Sequence, residues 1–452
     1  MAIVTPRTLS GFMELLPADQ LKFERMLSLL RDTYSSYGFT PLDTPVIESA
    51  EVLLAKGGGE TEKQIYRFMK GDNDLALRFD LTVPLAKYVA AHYAELSFPF
   101  RRYQIGKVYR GERAQRGRVR EFYQADIDVI GDGRLDILSE AEIPAVIYDT
   151  FRRLGVRRFQ IRVNNRKLLT GFYAMNGMSE KAGEIMRTVD KMDKIGPEKV
   201  RQALINDVKM LPCKAENVMD FMAVKGTNDE VIAALERYRG MDATFDEGLA
   251  ELKTVVKYLA DFGVPEENFA VDLTIARGLD YYTGTVYETL MLDHPEIGSV
   301  CSGGRYDNLA EYYTDRKLPG VGISIGLTRF FYILSEQGLL SDEGGAAACD
   351  ALVLPMTEEL GSAIAAAAEL RRAGLRVQLY TEKKKFKAKM SYADKIGVPY
   401  IVLLGEDEIA EGVLSVKDMR SGEQQKLTTA EAAALIRADA QRRAAAALIK
   451  EE

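Results

Sequence analysis

Histidine is scarce in this chain of 452 residues, which contains only His92 and His294. His92 falls in a segment with helical spacing of apolar residues, and His294 precedes a proline in an expected loop. We expect both to be structural or solvated, which argues against histidine acid–base chemistry and against histidine metal ligands. An enzyme built from this chain would work through carboxylates, arginines and the positioning of its substrates.

Cysteines and long apolar runs are also few. Cys213, Cys301 and Cys349 are odd in number and far apart, which argues against a disulfide framework and a zinc site and fits a reducing cytoplasm. The longest apolar runs fall well short of the ~20 residues of a membrane helix, and the N-terminus lacks the apolar segment of a secretory signal. We therefore expect a cytoplasmic protein without a membrane span.

The remaining composition is that of an ordinary globular protein. The chain is 47% hydrophobic and 28% charged, and it has 14 prolines. Its length allows roughly three domains. The net charge of −7 gives no support to nucleic-acid binding by itself, although local basic patches can still bind phosphate backbones.

One segment places a polar row beside an arginine-rich stretch, "RGERAQRGRVREFYQADIDVIG", residues 110–131. The residues alternate from Arg120 onward, as in a strand with one apolar face and one polar face. The polar face carries Phe122, Gln124, Asp126 and Asp128. We interpret it as the floor of a polar site, with Arg110 to Arg118 at the strand end and on a loop above it. The alternative is a solvated hairpin tip.

Two further segments carry arginines that could bind one anion together with the arginine-rich stretch. In "ARGLDYYTG", Arg277 and Asp280 precede Tyr281 and Tyr282, and a structural salt bridge is the alternative. In "GISIGLTRF", Arg329 lies in the first turn of a predicted helix, where a cation is disfavoured unless an anion is bound. Arginine forks match phosphate oxygens, so three converging segments suggest a polyphosphate such as ATP. The P-loop and dinucleotide-binding spacings do not occur.

The first three quarters of the chain show mixed α and β patterns. Helical spacing over 17–37 and 136–154 flanks strand patterns between about 100 and 131. Residues 165–262 carry mostly amphipathic helix patterns, which we interpret as a helical insertion. Strand patterns then return from Phe269.

The last hundred residues have a different organisation. After residue 347, buried strand patterns alternate with helices predicted over 357–373 and 383–396. This alternation predicts a separate doubly wound α/β domain, closed by an alanine-rich helix.

At these segments the sequence resembles the class II aminoacyl-tRNA synthetases, and among them the histidyl-tRNA synthetases. "YGFTPLDTPVIES", with Pro45, resembles the first class II motif. "YRGERAQRGRVREF" resembles the second and "GISIGLTRF" the third. "RGLDYYTGTVYE" and "SVCSGGRYDNL" resemble the two histidine-specific signatures, which are highly specific together.

The resemblance covers essentially the whole chain and implies its architecture. It implies an α/β protein with an antiparallel-sheet class II catalytic domain over 1–335, which contains the helical insertion 165–262. An α/β anticodon-binding domain would cover 347–452. The first motif forms the dimer interface in the family, so a homodimer is implied.

The resemblance also implies a role for each site residue. Arg110 and Arg277 would be catalytic, holding the α-phosphate from two sides. Contacts to ATP would come from Glu112, Arg118, Phe122 and Arg329. The residues implied to bind histidine are Asp80, Thr82, Arg110, Gln124, Asp128, Arg277, Tyr281 and Tyr282. Arg113 and Gln115 would meet the acceptor end of the tRNA, and no side chain would ligate a metal.

The implied reaction is that of a histidine–tRNA ligase. Histidine would react with ATP and Mg²⁺ to give histidyl-adenylate, and the histidyl group would pass to the 3′ end of tRNA(His). One alternative is a non-catalytic paralogue that regulates ATP phosphoribosyltransferase in histidine biosynthesis; such paralogues usually lack the C-terminal domain. A plain nucleic-acid-binding protein is the third hypothesis, and it leaves the acidic row at Asp126 and Asp128 unexplained.

Overall fold

The structure is a computed structural model that describes residues 3–55, 60–113, 117–276, 281–342 and 347–450. The chain divides into two compact units, Met1–Met13 with Leu29–Gln337, and Glu14–Ser28 with Gly338–Glu452. The sequence patterns did not predict that Glu14–Ser28 belongs to the second unit. The domain boundaries at 335 and 347 stay predictions. Within the described ranges, no helix combines the length and the low polarity needed to cross a membrane.

An antiparallel sheet organises the first unit. The strands up to residue 337 are β1 (Thr40–Pro41), β2 (Ile47–Ser49), β3 (Arg67–Lys70), β4 (Asn73–Leu77), β5 (Phe100–Tyr109), β6 (Glu121–Ile130), β7 (Phe159–Asn165), β8 (Phe269–Val271), β9 (Tyr282–Met291), β10 (Cys301–Tyr306) and β11 (Gly320–Gly326). Eight of them form one sheet in the order β1-β5-β6-β11-β10-β9-β7-β8, parallel only where β1 meets β5 and β7 meets β8. The other three form a small antiparallel sheet in the order β2-β4-β3.

Helices connect and cover these strands. They are α1 (Pro17–Ser36), α2 (Ala50–Leu53), α3 (Glu60–Gln64), α4 (Thr82–Ala91), α5 (Leu138–Leu154), α6 (Arg166–Met175), α7 (Ala182–Val189), α8 (Met192–Ile195), α9 (Pro197–Asn206), α10 (Pro212–Met222), α11 (Asn228–Glu236), α12 (Ala243–Asp261) and α13 (Leu327–Glu336). Helices α6 to α12 occupy the segment for which the sequence predicted helices. Local capping fixes their starts: the Asp242 carboxylate accepts from the backbone N–H groups of Thr244 and Phe245 at the start of α12.

One face of β6 packs into the core, and the other face carries the polar residues. Ala125, Ile127 and Val129 point into the core and are fully buried. Helices α5 and α13 contribute to this core, where the rings of Phe151 and Phe330 lie 5.6 Å apart. The core fixes the sheet, and the opposite face of β6 is left to carry the polar row.

The second unit is an α/β fold with helices on both faces of a mixed sheet. Its elements are β12 (Ala351–Pro355), α14 (Gly361–Arg372), β13 (Val377–Leu379), α15 (Phe386–Lys395), β14 (Tyr400–Leu404), α16 (Glu406–Glu411), β15 (Leu414–Asp418), β16 (Gln424–Leu427) and α17 (Thr429–Ala445). The strand order is β13-β12-β14-β15-β16, in which the first three strands are parallel. Ala367 and Ile436 bring α14 and α17 to one face, and Ala393 brings α15 to the other. The predicted α/β fold class is confirmed.

Three details of the second unit differ from the prediction. The antiparallel hairpin of β15 and β16 was missed because β16, "QQKL", is mostly exposed and lacks apolar alternation. Helix α14 begins at Gly361 rather than 357, since the Glu359 carboxylate accepts from the Gly361 N–H and holds a turn there. Helix α15 begins at Phe386 rather than 383, so Lys383, Lys384 and Lys385 precede the helix.

Candidate active site

A cavity of about 480 Å³ lies over the polar face of β6. Phe122, Gln124, Asp126 and Asp128 all line it, as their alternation predicted. Strand pairing sets Arg102 of β5 opposite Asp128, so both neighbours of β6 contribute to this floor. The floor is therefore a tertiary surface built from three adjacent strands, with β11 on the other side.

Glycine makes room for the floor on β11. A Cβ atom at Gly322 would collide with the carboxylate of Asp128 and lie 2.5 Å from the Ile127 carbonyl oxygen. Any larger residue would push β11 away from β6 or displace Asp128.

Arg110 lies at the end of β5 between two aromatic rings. Its guanidinium carbon is 4.4 Å from the centre of the Phe79 ring and 5.1 Å from that of Phe122. Its Nε donates to the Phe79 carbonyl oxygen at 3.2 Å. Burial lowers the pKa of Arg110, and the nearby Asp80 opposes that shift. The rings thus hold the guanidinium in place beside the cavity.

Asp80 and Thr82 shape the start of α4 at the edge of the cavity. Asp80 Oδ1 accepts from the backbone N–H groups of Thr82 at 3.0 Å and Val83 at 2.9 Å. Burial raises the pKa of Asp80, whereas these hydrogen bonds and Arg110 act to lower it. The Thr82 side chain shares a hydrogen bond with Tyr281, which connects α4 to the start of β9.

Asp128 is held by two buried groups that the sequence analysis missed. Tyr306 donates its hydroxyl to Oδ1 at 2.7 Å, and Arg102 Nη2 lies 2.7 Å from Oδ2. Burial raises the pKa of Asp128, while Arg102 and Tyr306 act to lower it. Arg102 is fully buried, so this ion pair forms in a desolvated setting. Asp128 therefore has a fixed orientation, and it acts electrostatically on Tyr282, whose pKa burial raises.

Arg118, Glu112 and Arg329 also line the cavity. Arg118 Nη1 lies 3.9 Å from Glu112 Oε2, and both residues line the cavity. Arg329 is in the first turn of α13, as predicted, and its Nη2 donates to the Ile297 carbonyl oxygen at 2.8 Å. Two further cations therefore line the same cavity as the buried carboxylates.

The structure brings most of the predicted site residues around one cavity. Those that line it are Asp80, Thr82, Arg110, Glu112, Arg118, Phe122, Gln124, Asp128, Tyr281, Tyr282 and Arg329. Arg113 is exposed and is not part of the lining. Arg277 and Gln115 lie outside the described residues, as do Arg116 and Asp280.

The residues that the sequence analysis missed sit on the neighbouring strands. Arg102 could have been found only from strand register, because its own segment gives no sign of a site. Ser324 lies in the segment "GISIGLTRF", but only its register with Asp126 shows that it belongs to the floor. Tyr306 belongs to the signature "SGGRYD", whose adjacent Arg305 points to the other side of the sheet and pairs with buried Glu140 at 2.6 Å. The two histidines are elsewhere, with His92 Nδ1 2.6 Å from Glu95 and His294 Nδ1 3.5 Å from Glu296.

Comparison with known families identifies this architecture. Residues 11–330 match the family model described as histidyl-tRNA synthetase. The chain belongs to the histidyl-tRNA synthetase family. Residues 350–439 match a second model, described as an anticodon binding domain.

Members of the histidyl-tRNA synthetase family match this chain over nearly its full length. A histidine–tRNA ligase of Clostridium tetani is 53% identical over 435 residues, which are 96% of this chain and 99% of that protein. One of Xanthomonas campestris pv. campestris is 48% identical over 92% of this chain and 93% of that protein. The crystal structure of histidyl-tRNA synthetase from Nostoc sp. PCC 7120 covers 96% of this chain and 100% of that chain, with a TM-score of 0.89 and 39% identity.

A more distant structure bears on the regulatory alternative. It is described as an ATP phosphoribosyltransferase regulatory subunit/histidyl-tRNA synthetase from Bacillus halodurans C, with a TM-score of 0.70 and 22% identity. At that identity it shows a shared fold only. The closer relatives support the synthetase and not the regulatory paralogue.

Proposed function

We propose that the cavity over β6 performs the reaction of this family, in which histidine and ATP form histidyl-adenylate and the histidyl group then passes to tRNA. The chain is a histidine–tRNA ligase, as are its curated relatives. One observation carries the assignment of the reaction to this cavity. Arg110, Arg118 and Arg329 line the same cavity as the buried carboxylates of Asp80, Asp126 and Asp128, so a polyphosphate and a basic side chain can be bound in one cavity.

ATP is proposed to lie against the three arginines. Arg110, on its two rings, would contact the α-phosphate, and Arg118 and Arg329 would contact the γ-phosphate. Arginine forks bind phosphate oxygens in pairs, which supports this orientation. Phe122 would stack on the adenine, with Glu112 accepting from its amino group.

Mg²⁺ would be held by the nucleotide and would supply charge neutralisation at its phosphates. Among the described residues, no three His, Cys, Asp or Glu side chains come together in a way that could hold a metal ion. The chain's own contribution is then the fixed charge of its arginines, including Arg277 from the opposite side of the α-phosphate. Charges positioned before the reaction stabilise the transition state without reorganisation.

Histidine is proposed to lie against the buried carboxylates. Asp80, Thr82 and Gln124 would hold its amino end, and Asp128 would accept from its imidazole below Tyr281 and Tyr282. The substrate carboxylate is itself the nucleophile on the α-phosphorus, so the protein needs no nucleophile of its own. Catalysis is then in-line positioning plus charge neutralisation.

Exchange of labelled pyrophosphate into ATP tests this proposal. The wild-type chain should exchange only when histidine is added, and Arg110→Ala should lose about 10²–10³ of that rate because a preorganised charge is removed. Arg158→Ala is the matched control, since Arg158 pairs with Asp293 on the surface. Histidine-independent exchange, or full activity in Arg110→Ala, would contradict the proposal.

The partners follow from the same assignment. The second unit is proposed to bind the anticodon region of tRNA(His), and Arg113 and Gln115 are proposed to contact its acceptor end.

We also propose a homodimer formed through the small sheet β2-β4-β3, where Ile47, Phe68 and Met69 are large apolar residues exposed to solvent. A cytoplasmic location fits three cysteines that form no disulfide.

A further inference from the structure

Two carboxylates and one guanidinium are buried together beneath the part of the cavity that is proposed to bind histidine. Arg102 is 0% exposed, Asp126 2% and Asp128 3%. One positive and two negative charges leave a formal charge of −1 when both carboxyl groups are ionised. A net charge in a desolvated cluster is costly unless a ligand compensates it.

The two carboxylates have different partners. Asp128 Oδ1 accepts from Tyr306, and its Oδ2 forms an ion pair with Arg102 that lacks hydrogen-bond geometry. Asp126 is hydrogen-bonded to the Ser324 hydroxyl, whose oxygen accepts from Gln124 Nε2 at 3.0 Å. The second oxygen of Asp126, Oδ1, is buried and has no hydrogen-bond partner within the described part of the chain. Asp126 therefore keeps capacity for one more donor at the cavity floor.

Other titratable groups around Asp126 do not supply the missing charge. Asp80 and Arg110 carry opposite charges and offset each other. The remaining groups that act on Asp126 electrostatically are neutral, because burial raises their pKa values. They come from α1, β9 and β10 and are Tyr34, Tyr282 and Cys301.

We propose that the imidazole of the substrate completes this cluster, so that histidine is held with one proton shared between its ring and the carboxyl group of Asp126. This inference rests on the proposed function, because it takes the cavity to be the histidine site. Asp126 becomes a specificity-determining residue. An isosteric side chain that cannot hold a proton leaves the cluster uncompensated.

The inference predicts that the affinity for histidine depends on pH. The direction follows from the pKa values of Asp126 in the unbound protein and of the free imidazole. Burial and Asp128 raise the pKa of Asp126 to about 7, against the opposing effects of Arg102 and Ser324. A free imidazole titrates near ~6.5. Above both pKa values neither Asp126 nor the imidazole carries the shared proton, so binding must take one up from solvent. The affinity for histidine therefore falls as pH rises, by at most about tenfold per pH unit. Below both values one proton must leave, so affinity falls as pH falls.

Isothermal titration of L-histidine into the full-length protein tests this in two buffers of different ionisation enthalpy at pH 8. Wild type should take up about one proton more than Asp126→Asn, which keeps the shape and the Ser324 hydrogen bond. The substrate ammonium contributes equally in both proteins, so the difference isolates Asp126. Equal proton uptake in the two proteins would overturn the inference.

Ser324→Ala gives a second test that does not change a charge. Removing the hydroxyl that lowers the pKa of Asp126 should move the decline in affinity to higher pH. An unchanged pH profile would overturn the inference even if Asp126→Asn failed to fold. A wild-type protein that neither binds histidine nor exchanges pyrophosphate would instead refute the proposed function.

Discussion

Asp128 illustrates how the environment of a single residue prepares it for binding. Sequence alternation places its side chain on the polar face of β6, but it does not show what holds the carboxylate. Arg102 and Tyr306 fix both oxygens from β5 and β10. A carboxylate with fixed orientation discriminates between ring nitrogens better than a mobile one, because little rearrangement is needed on binding.

Replacement of Asp128 should damage histidine binding far more than ATP binding. Asp128→Asn keeps the shape but removes the acceptor charge, so we expect the Kd for histidine to rise at least about tenfold, or ~1.4 kcal/mol. Isothermal titration with each substrate measures this. Asp132→Asn, an exposed carboxylate at the end of the same strand segment, is the matched control. An unchanged histidine Kd would move the imidazole pocket elsewhere.

Arg277 lies outside the described residues, so its role rests on the family resemblance. Arg277→Ala should lower the rate of adenylate formation about 10²–10³-fold, because a charge aimed at the α-phosphate is lost. The fold should be largely retained. Pyrophosphate exchange is the assay, and near-normal exchange would exclude the catalytic assignment.

At the scale of elements, two adjacent residues of the signature "SGGRYD" on strand β10 have different roles. Its Tyr306 faces the cavity, while Arg305 pairs with Glu140 and Asp307 behind the sheet. Thr285 also hydrogen-bonds Glu140, which is fully buried. The arginine of "SGGRYD" is therefore a structural residue that anchors β10 to α5.

Removal of this arginine should reduce stability more than it reduces substrate affinity. Arg305→Ala leaves the buried Glu140 carboxylate without its cation, which typically costs about 3–5 kcal/mol. Urea denaturation measures the loss. Arg162→Ala, which breaks pairs with Asp193 and Asp272, should cost less than Arg305→Ala because these carboxylates remain partly accessible to water. Equal losses in the two variants would show that Arg305 has no special structural role.

Helix α15 and the three residues before it form a basic segment. Lys384 and Lys387 are exposed, whereas Lys389 packs 6.0 Å from the centre of the Tyr380 ring. Lysines contact phosphates without reading the base sequence, so they add affinity that depends on salt. The alternative is a face that only improves solubility.

Charge reversal at Lys384 and Lys387 should weaken tRNA binding and flatten its salt dependence. Each phosphate contact contributes about 0.9 to the slope of log K against log salt for a duplex, so losing two should be measurable. Lys426→Glu is the matched control. It makes the same lysine-to-glutamate change outside the basic segment, where Lys426 pairs with Glu411. Variants that bind and charge tRNA like the parent across a salt titration would favour the solubility hypothesis.

At the scale of the whole molecule, the proposed homodimer is the main assembly to test. Light scattering at micromolar concentration should give a mass near twice the 50.4 kDa of the chain. Phe68→Asp should shift the mass toward the monomer, since it charges the exposed apolar surface of the small sheet. Phe262→Asp is the matched control because both rings are 40% exposed. A wild-type mass near 50 kDa would contradict the dimer.

The sequence by itself determined the α/β fold class, the polar face of β6 and the family. These depend on local periodicity and on motif spacing, which the chain carries without reference to distant residues. It also located Arg329 in the first turn of a helix, because helix starts depend on nearby residues.

Only the tertiary structure decided what holds the site together. Arg102 and Ser324 become site residues through strand register, which depends on which strands are neighbours and not on their own sequences. The hairpin β15–β16 was missed because its outer strand is exposed and polar. The charge of the floor, one cation for two buried carboxylates, likewise arises only when three separate strands bring Arg102, Asp126, Asp128 and Ser324 together, because burial and proximity set electrostatic energies.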